Sequence, residues 1–212
     1  MDILNQEMKS YINGLYEEET GIIGNMRKQY GEQYPIIPRE TAQFLKTLLK
    51  MKKPKKILEI GTCVGFSSIL MATLLPDAHI TTIDRYEVMI DIAKANFEKY
   101  QLTDRITLRE GSALEVMQSM DDSFDFVFID AAKGQYIHFL PEAIRLSTAD
   151  AVILADNILQ HGDIAKPFEE IVKRQRTIYV NMRKFLDEIT HRTGLETSIL
   201  PIGDGVALTV KG

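Results

Sequence analysis

Apolar and polar positions along the chain change their period near residue 55. Before it, Ile3, Leu4, Met8, Tyr11, Ile12, Leu15 and Tyr16 recur at helical spacing and predict a helix over 2–18. A second helical stretch is predicted over 19–30 and a third over 39–50, stopped by Pro54. Between them Tyr34-Pro35-Ile36-Ile37-Pro38 reads as an extended linker, because a proline disfavours helix in the residue before it. From residue 56 onward short apolar runs alternate with amphipathic ones. Strands are predicted at 56–60, 79–84, 105–110, 124–129 and 150–155, and helices at 65–75, 87–100, 112–119, 136–147 and 164–189. Phe124 to Ile129 is almost wholly apolar, as a strand covered on both faces of a parallel sheet should be. Two last strands, 195–200 and 205–210, flank the hairpin-type turn Gly203-Asp204-Gly205. This order predicts an α/β fold: a doubly wound, mostly parallel, seven-stranded sheet with a C-terminal antiparallel hairpin and extra N-terminal helices. With no repeat or low-complexity tract, one domain is expected over 1–212, a helical cover over 1–52 on a core over 55–212.

Composition narrows the class. With 45% hydrophobic and 26% charged residues in 212, the chain has the profile of a soluble globular protein large enough for a sizeable core. No apolar run approaches the ~20 residues of a membrane span, so no membrane partner is expected. The start Met-Asp-Ile-Leu-Asn-Gln-Glu lacks a basic stretch followed by an apolar one, and the single cysteine, Cys63, excludes an internal disulfide. Both features point to the cytoplasm. A net charge of −5 argues against a surface coated for nucleic acid, though not against a local basic face.

The richest stretch is Ile57-Leu-Glu-Ile-Gly-Thr-Cys-Val-Gly-Phe-Ser-Ser68, a strand that breaks into a glycine turn and then a helix. Such turns bring backbone close to a ligand. The spacing Glu59-x-Gly61-x-x-x-Gly65 is neither the dinucleotide fingerprint nor the phosphate loop, and no Lys or Arg lies in the turn. An acid at the strand end suits a ligand with an amine-bearing, cationic part. Cys63 within the turn reads as a small packing residue, since no base motif accompanies it.

Ligands of a doubly wound sheet bind beyond the carboxyl ends of its strands. Those ends read Glu59 to Gly61, Asp84, Gly111-Ser112-Ala113, Asp130 and Asp156-Asn157. Four of the five carry an acid, a clustering that mutual repulsion disfavours unless a ligand uses it. Asp84 is placed to accept from a ribose diol, and equally to cap the helix that follows. Asp130, Asp156 and Asn157 offer three hard oxygens suited to Mg²⁺, whereas Asp156-Asn157 alone would read as a turn pair. Lys133, three residues past Asp130, could accept a proton near neutrality beside a divalent cation; elsewhere it would be an ordinary surface lysine. Tyr136 reads as packing or as substrate wall.

Four motifs carry a resemblance: Leu-Glu-Ile-Gly-Thr-x-x-Gly-Phe-Ser-Ser, Phe-Asp-Phe-Val-Phe-Ile-Asp-Ala-Ala-Lys-x-x-Tyr, Asp-Asn-Ile-Leu, and Leu-Pro-Ile-Gly-Asp-Gly. From about Ile36 onward the chain resembles the metal-dependent class I S-adenosylmethionine O-methyltransferases of the catechol O-methyltransferase-like family, which are Rossmann-like. The resemblance implies that Asp130, Asp156 and Asn157 hold Mg²⁺ (or Mn²⁺) and that Lys133 is the general base. It implies further that Glu59, Gly61, Ser67, Asp84, Ser112, Ala113 and Asp130 line the S-adenosylmethionine site, covered by Ile37.

Two departures bear on the acceptor. Members acting on small phenols usually read Asp-Ala-Asp-Lys and often carry Trp after Asp-Asn-x-Leu; here these positions are Ala132 and Gln160, and the chain has no Trp. Asp-Ala-Ala-Lys-Gly-Gln-Tyr is similar to the bacterial branch that methylates 5-hydroxyuridine at the tRNA wobble position. That resemblance makes the tRNA anticodon loop the expected partner, with a small catechol or phenol as the alternative. Lys166, Lys173, Arg174, Arg176, Arg183 and Lys184, with Arg27 and Lys28, would then meet phosphates; otherwise they form a solvated helix face. The apolar faces of the N-terminal helices predict a homodimer.

Overall fold

The computed structural model describes residues 6–212, with the side chain of Gln6 left aside. Three helices come first: α1 (Gln6–Gly14), α2 (Gly21–Tyr30) and α3 (Arg39–Lys52). The helix predicted over 2–18 is thus shorter in its described part, and residues 2–5 lie outside the described residues. Lys53 adopts a left-handed conformation (φ 51°) just before Pro54, and the two together end α3. There follow β1 (Lys56–Ile60), α4 (Phe66–Leu74), β2 (His79–Asp84), α5 (Glu87–Lys99), β3 (Ile106–Glu110), α6 (Ala113–Gln118), β4 (Phe124–Ile129), α7 (Tyr136–Arg145) and β5 (Ser147–Asp156). The chain ends with α8 (Arg176–His191), β6 (Leu195–Leu200) and β7 (Val206–Lys211).

The seven strands form one sheet in the order β3-β2-β1-β4-β5-β7-β6, parallel except for β7, which runs antiparallel to both β5 and β6. This is the doubly wound sheet with a terminal hairpin that the alternation of elements predicts. The near-continuous apolar strands follow from burial on both faces. Ile57, Ile80, Phe126, Phe128 and Leu154 pack against α2, α3, α4 and α5. Their sequence neighbours Leu58, Ile60, Val127, Ile129 and Ile153 pack against α6, α7 and α8 on the other face. Strand order reverses between β1 and β4, so the crevice at their carboxyl ends is the natural ligand position.

One predicted element is corrected. The helix expected over 164–189 spans only Arg176–His191, and residues 160–175 form three short 3₁₀ turns instead. Tertiary bonds hold this segment out of a helix. The Tyr179 hydroxyl donates to the Lys166 carbonyl at 2.7 Å, and Arg176 Nε to that of Ile171 at 3.0 Å. His161 (φ 54°) and Gly162 (φ 84°) are left-handed, which no continuous helix permits. The fifth strand is longer than expected, starting at Ser147 opposite Phe124.

Candidate functional site

A cavity of about 720 Å³ opens at the carboxyl ends of β1, β2, β3 and β4. Its wall includes Ile37, Gly61, Ser67, Asp84, Ser112, Ala113, Asp130, Lys133 and Asn157, nine of the residues singled out in the sequence. Its volume lies within the ~300–1,000 Å³ range typical of small-molecule sites. A cavity of about 400 Å³ between α1, α3 and the 201–203 loop contains none of the candidate residues.

The glycine turn sets the floor. Gly61 has φ +107°, and a Cβ there would lie 2.0 Å from the Asp130 carbonyl oxygen. Only a glycine lets the ends of β1 and β4 come this close, tied by Asp130 N–H to the Ile60 carbonyl at 3.0 Å. Asp84 at the end of β2 takes three backbone bonds: from Cys63 N at 2.8 Å, Arg85 N at 2.7 Å and Tyr86 N at 3.0 Å. Its carboxylate therefore locks the glycine turn to the β2 loop while facing the cavity, and is not a side-chain cap on α5. Burial pushes the Cys63 thiol up to about 11, which leaves it unreactive and agrees with a packing role.

Glu59 is not on the wall. It is completely buried behind the turn, where Ser68 Oγ and Thr82 Oγ1 donate to its Oε2, the latter at 2.6 Å. Its Oε1 has no partner. Burial pushes its carboxyl up to about 7, against the hydrogen bonds from Ser68 and Thr82 that pull it down.

At the other end of the cavity Lys133 bridges two strand ends. Its Nζ donates to Asn157 Oδ1 at 2.5 Å and to Asp130 Oδ1 at 3.4 Å. Asp156 lies beneath them, fully buried and off the wall. Its Oδ1 accepts from Asn157 N at 2.7 Å, and its Oδ2 has no partner. Burial, and then the charge of Asp130, push the Asp156 carboxyl up to about 7, against the pull of Lys133. Two carboxyls held near 7 each contribute stability that falls as pH rises in the ligand-free protein. Well below the ordinary carboxyl range both folded and unfolded chains hold these protons. Between that range and about 7 only the folded chain does, so rising pH disfavours folding through each group. Urea unfolding at pH 5, 6 and 7 should show stability falling with pH, and Glu59→Gln should flatten the slope. A slope left unchanged by Glu59→Gln would contradict the burial of Glu59.

Three residues outside the sequence-based site set organise this end. The buried Tyr136 hydroxyl lies 3.0 Å from the Asp156 carbonyl and 3.2 Å from that of Ile129, and accepts from Ala131 N at 3.3 Å. It stitches β4 to β5 and is packing, not substrate wall. Asn181 Nδ2 on α8 donates to the Gly134 carbonyl at 2.8 Å, which anchors the turn that carries Lys133. Asp204, in the β6–β7 hairpin, accepts from His161 N at 2.6 Å and receives Leu159 N–H on its own carbonyl at 2.9 Å. Tyr136 sits three residues from Lys133, a spacing that signals a shared helix face; Asp204 is some fifty residues from Asp156, and no local pattern connects them.

The basic residues divide. Lys166 pairs with Asp163 at 2.5 Å, Arg176 Cζ lies 4.8 Å over the Phe168 ring, and Arg183 Nη1 donates to the Tyr179 hydroxyl at 2.8 Å. Lys173, Arg174 and Lys184 are exposed. Arg27 serves internal contacts, to Glu19 and to the Ile37 carbonyl.

Known proteins match this chain over most of its length. Caffeoyl-CoA O-methyltransferase of Populus kitakamiensis is 30% identical over 192 residues, covering 85% of this chain and 80% of the relative. That of Petroselinum crispum is 33% identical over 180 residues, with 80% and 73% covered. A Staphylococcus aureus protein, assigned provisionally as a caffeoyl-CoA O-methyltransferase, superposes with a TM-score of 0.90 at 32% identity, covering 98% of this chain and 100% of that one. A Bacillus cereus O-methyltransferase solved in complex with SAH superposes with a TM-score of 0.83 at 25% identity, with 97% of each chain covered. The sequence profile of the O-methyltransferase family matches residues 18–212, and the chain belongs to that family.

Proposed function

We propose that this protein transfers a methyl group from S-adenosylmethionine to one of two neighbouring oxygens of an acceptor, with Mg²⁺ (or Mn²⁺) held at the ends of β4 and β5. What carries this is the Lys133 ammonium, set between Asp130 and Asn157 at one end of a cavity whose other end is the glycine turn. The SAH-bound Bacillus cereus relative supports the choice of methyl donor.

The residues fit a divalent ion. Among the described residues no group of three or more His, Cys, Asp or Glu side chains gathers, so the third oxygen of the set would be the Asn157 amide. Asp156 Oδ2 is buried without a partner, and Asp130 and Asn157 already share one cation, the Lys133 ammonium. A bound Mg²⁺ would supply a fixed positive charge that stabilises the acceptor's oxyanion. Asp84 would accept from the ribose hydroxyls, and Ser67, Ser112 and Ala113 would line the nucleoside. Ile37 and Phe66 would cover the bound cofactor. Beside the like charge of a bound ion Lys133 would lose one proton to solvent, and the neutral amine would then take the acceptor's hydroxyl proton on Nζ; fixed alignment would supply most of the remaining rate gain.

Two acceptors have the required pair of oxygens. In 5-hydroxyuracil the 5-hydroxyl adjoins the 4-oxo group, and Ala132, Gln160 and the exposed Lys173, Arg174 and Lys184 support wobble 5-hydroxyuridine of tRNA, giving 5-methoxyuridine. The names of the plant relatives support a catechol-type small molecule instead. Side-by-side assays with hydroxyuridine-containing tRNA and a free catechol decide between them. Methoxyuridine formation that falls steeply with salt is the expected result. Methylation of the catechol alone would move the assignment to the small-molecule acceptor, and methylation of neither would remove the proposed function. A homodimer acting in the cytoplasm completes the proposal, supported by the exposed Met8 and Tyr11 on α1.

A further inference from the structure

Arg27 is a cation that neither the glycine turn nor the Lys133 cluster accounts for, yet it touches both walls of the cavity. Its Nη1 donates to the Ile37 carbonyl at 2.9 Å. Its Cζ lies 4.6 Å above the ring of Phe66, the first residue of α4 after the glycine turn. Ile37 and Phe66 both line the cavity. The remaining face of the guanidinium pairs with Glu19, whose side chain is only 7% exposed and which also meets Lys46 Nζ at 3.6 Å. Gly24 makes this pairing possible, since a Cβ there would lie 2.1 Å from the Glu19 carbonyl oxygen.

The chemistry suits a latch. The segment 35–38 has two prolines and lies in no strand or helix, so few backbone bonds hold it over the cavity. A guanidinium can donate to a carbonyl, pair with a carboxylate and stack on a ring at the same time; an ammonium cannot match that planar fork. We infer that Arg27 is a positioning residue that fixes the Ile37 segment against Phe66, and thereby keeps S-adenosylmethionine from dissociating; this rests on the proposed donor site. Arg27 is accordingly withdrawn from the residues expected to meet tRNA phosphates.

The test measures SAH affinity and dissociation rate by calorimetry and stopped flow for wild type, Arg27→Ala and Arg27→Lys, alongside kcat, acceptor KM and Tm. Both variants should bind SAH roughly tenfold or more weakly, through faster release, because a charge-assisted bond and a stacked contact are lost. Turnover at saturating cofactor and acceptor KM should change far less. Arg27→Lys preserves the Glu19 pair and so serves if the alanine variant does not fold. Unchanged SAH affinity in the lysine variant overturns the latch, and so does a loss of affinity, turnover and Tm in parallel. If the wild-type protein itself fails to bind SAH, it is the donor-site assignment that falls.

Discussion

Lys133→Ala is expected to lower kcat by about 10²–10⁴, the usual range for loss of a positioned general base. SAH affinity should stay within about threefold, because the variant leaves the glycine turn and Asp84 untouched and removes a group whose proposed partner is the acceptor. Lys133→Arg separates two roles. Arginine retains the positive charge between Asp130 and Asn157 but cannot give up a proton in water. Arginine should therefore restore little of the lost rate. Recovery of most of the activity would mean that Lys133 acts by its charge and not as a base. The measurement is single-turnover methyl transfer at saturating cofactor, which separates the chemical step from product release.

Gly61→Ala should have the largest effect on stability. Its φ of +107° is strained for any side chain, and the new Cβ would meet the Asp130 carbonyl oxygen at 2.0 Å and its carbon at 2.8 Å. Backbone cannot yield as a side chain can, so β1 and β4 must separate where their ends define the cavity. A loss of about 3 kcal/mol or more follows, a Tm drop of roughly 6–12 °C for a chain of this size, with SAH binding lost as well. Gly194→Ala is the control. It shares a positive φ, +84°, but has nothing within 4 Å, so only the conformational penalty of about 1 kcal/mol applies. Equal losses at the two positions would contradict the close approach at Gly61.

The sheet was legible because its strands are buried on both sides, which leaves continuous apolar runs such as Phe124 to Ile129 that no amphipathic helix produces. The convergence of Gly61, Asp84, Asp130 and Asn157 on one cavity was legible for a related reason: parallel strands put their carboxyl ends on one side. Position alone did not give depth. Glu59 and Asp156 stand at strand ends as expected, yet both carboxyls lie behind the wall, Glu59 held by Ser68 and Thr82 and Asp156 by the backbone of Asn157. Residues 164–175 misled because Lys, Arg and Glu favour helix locally, while the bond that holds Lys166 out of one comes from the Tyr179 hydroxyl, thirteen residues on. The same holds for Arg27, whose charge read as surface charge until Glu19, Ile37 and Phe66 were seen around it.

The family assignment leaves the role of the β4 and β5 ends as the central claim, and titrating metal-stripped protein with Mg²⁺ tests it most directly. Methyl transfer should be absent after chelation and return with Mg²⁺, while Asp130→Ala and Asp156→Ala should fail to recover, and Mg²⁺ should raise the Tm of the wild-type protein alone. Transfer that proceeds at full rate in the presence of chelator, or a Tm indifferent to Mg²⁺, would contradict a metal-held acceptor at this site.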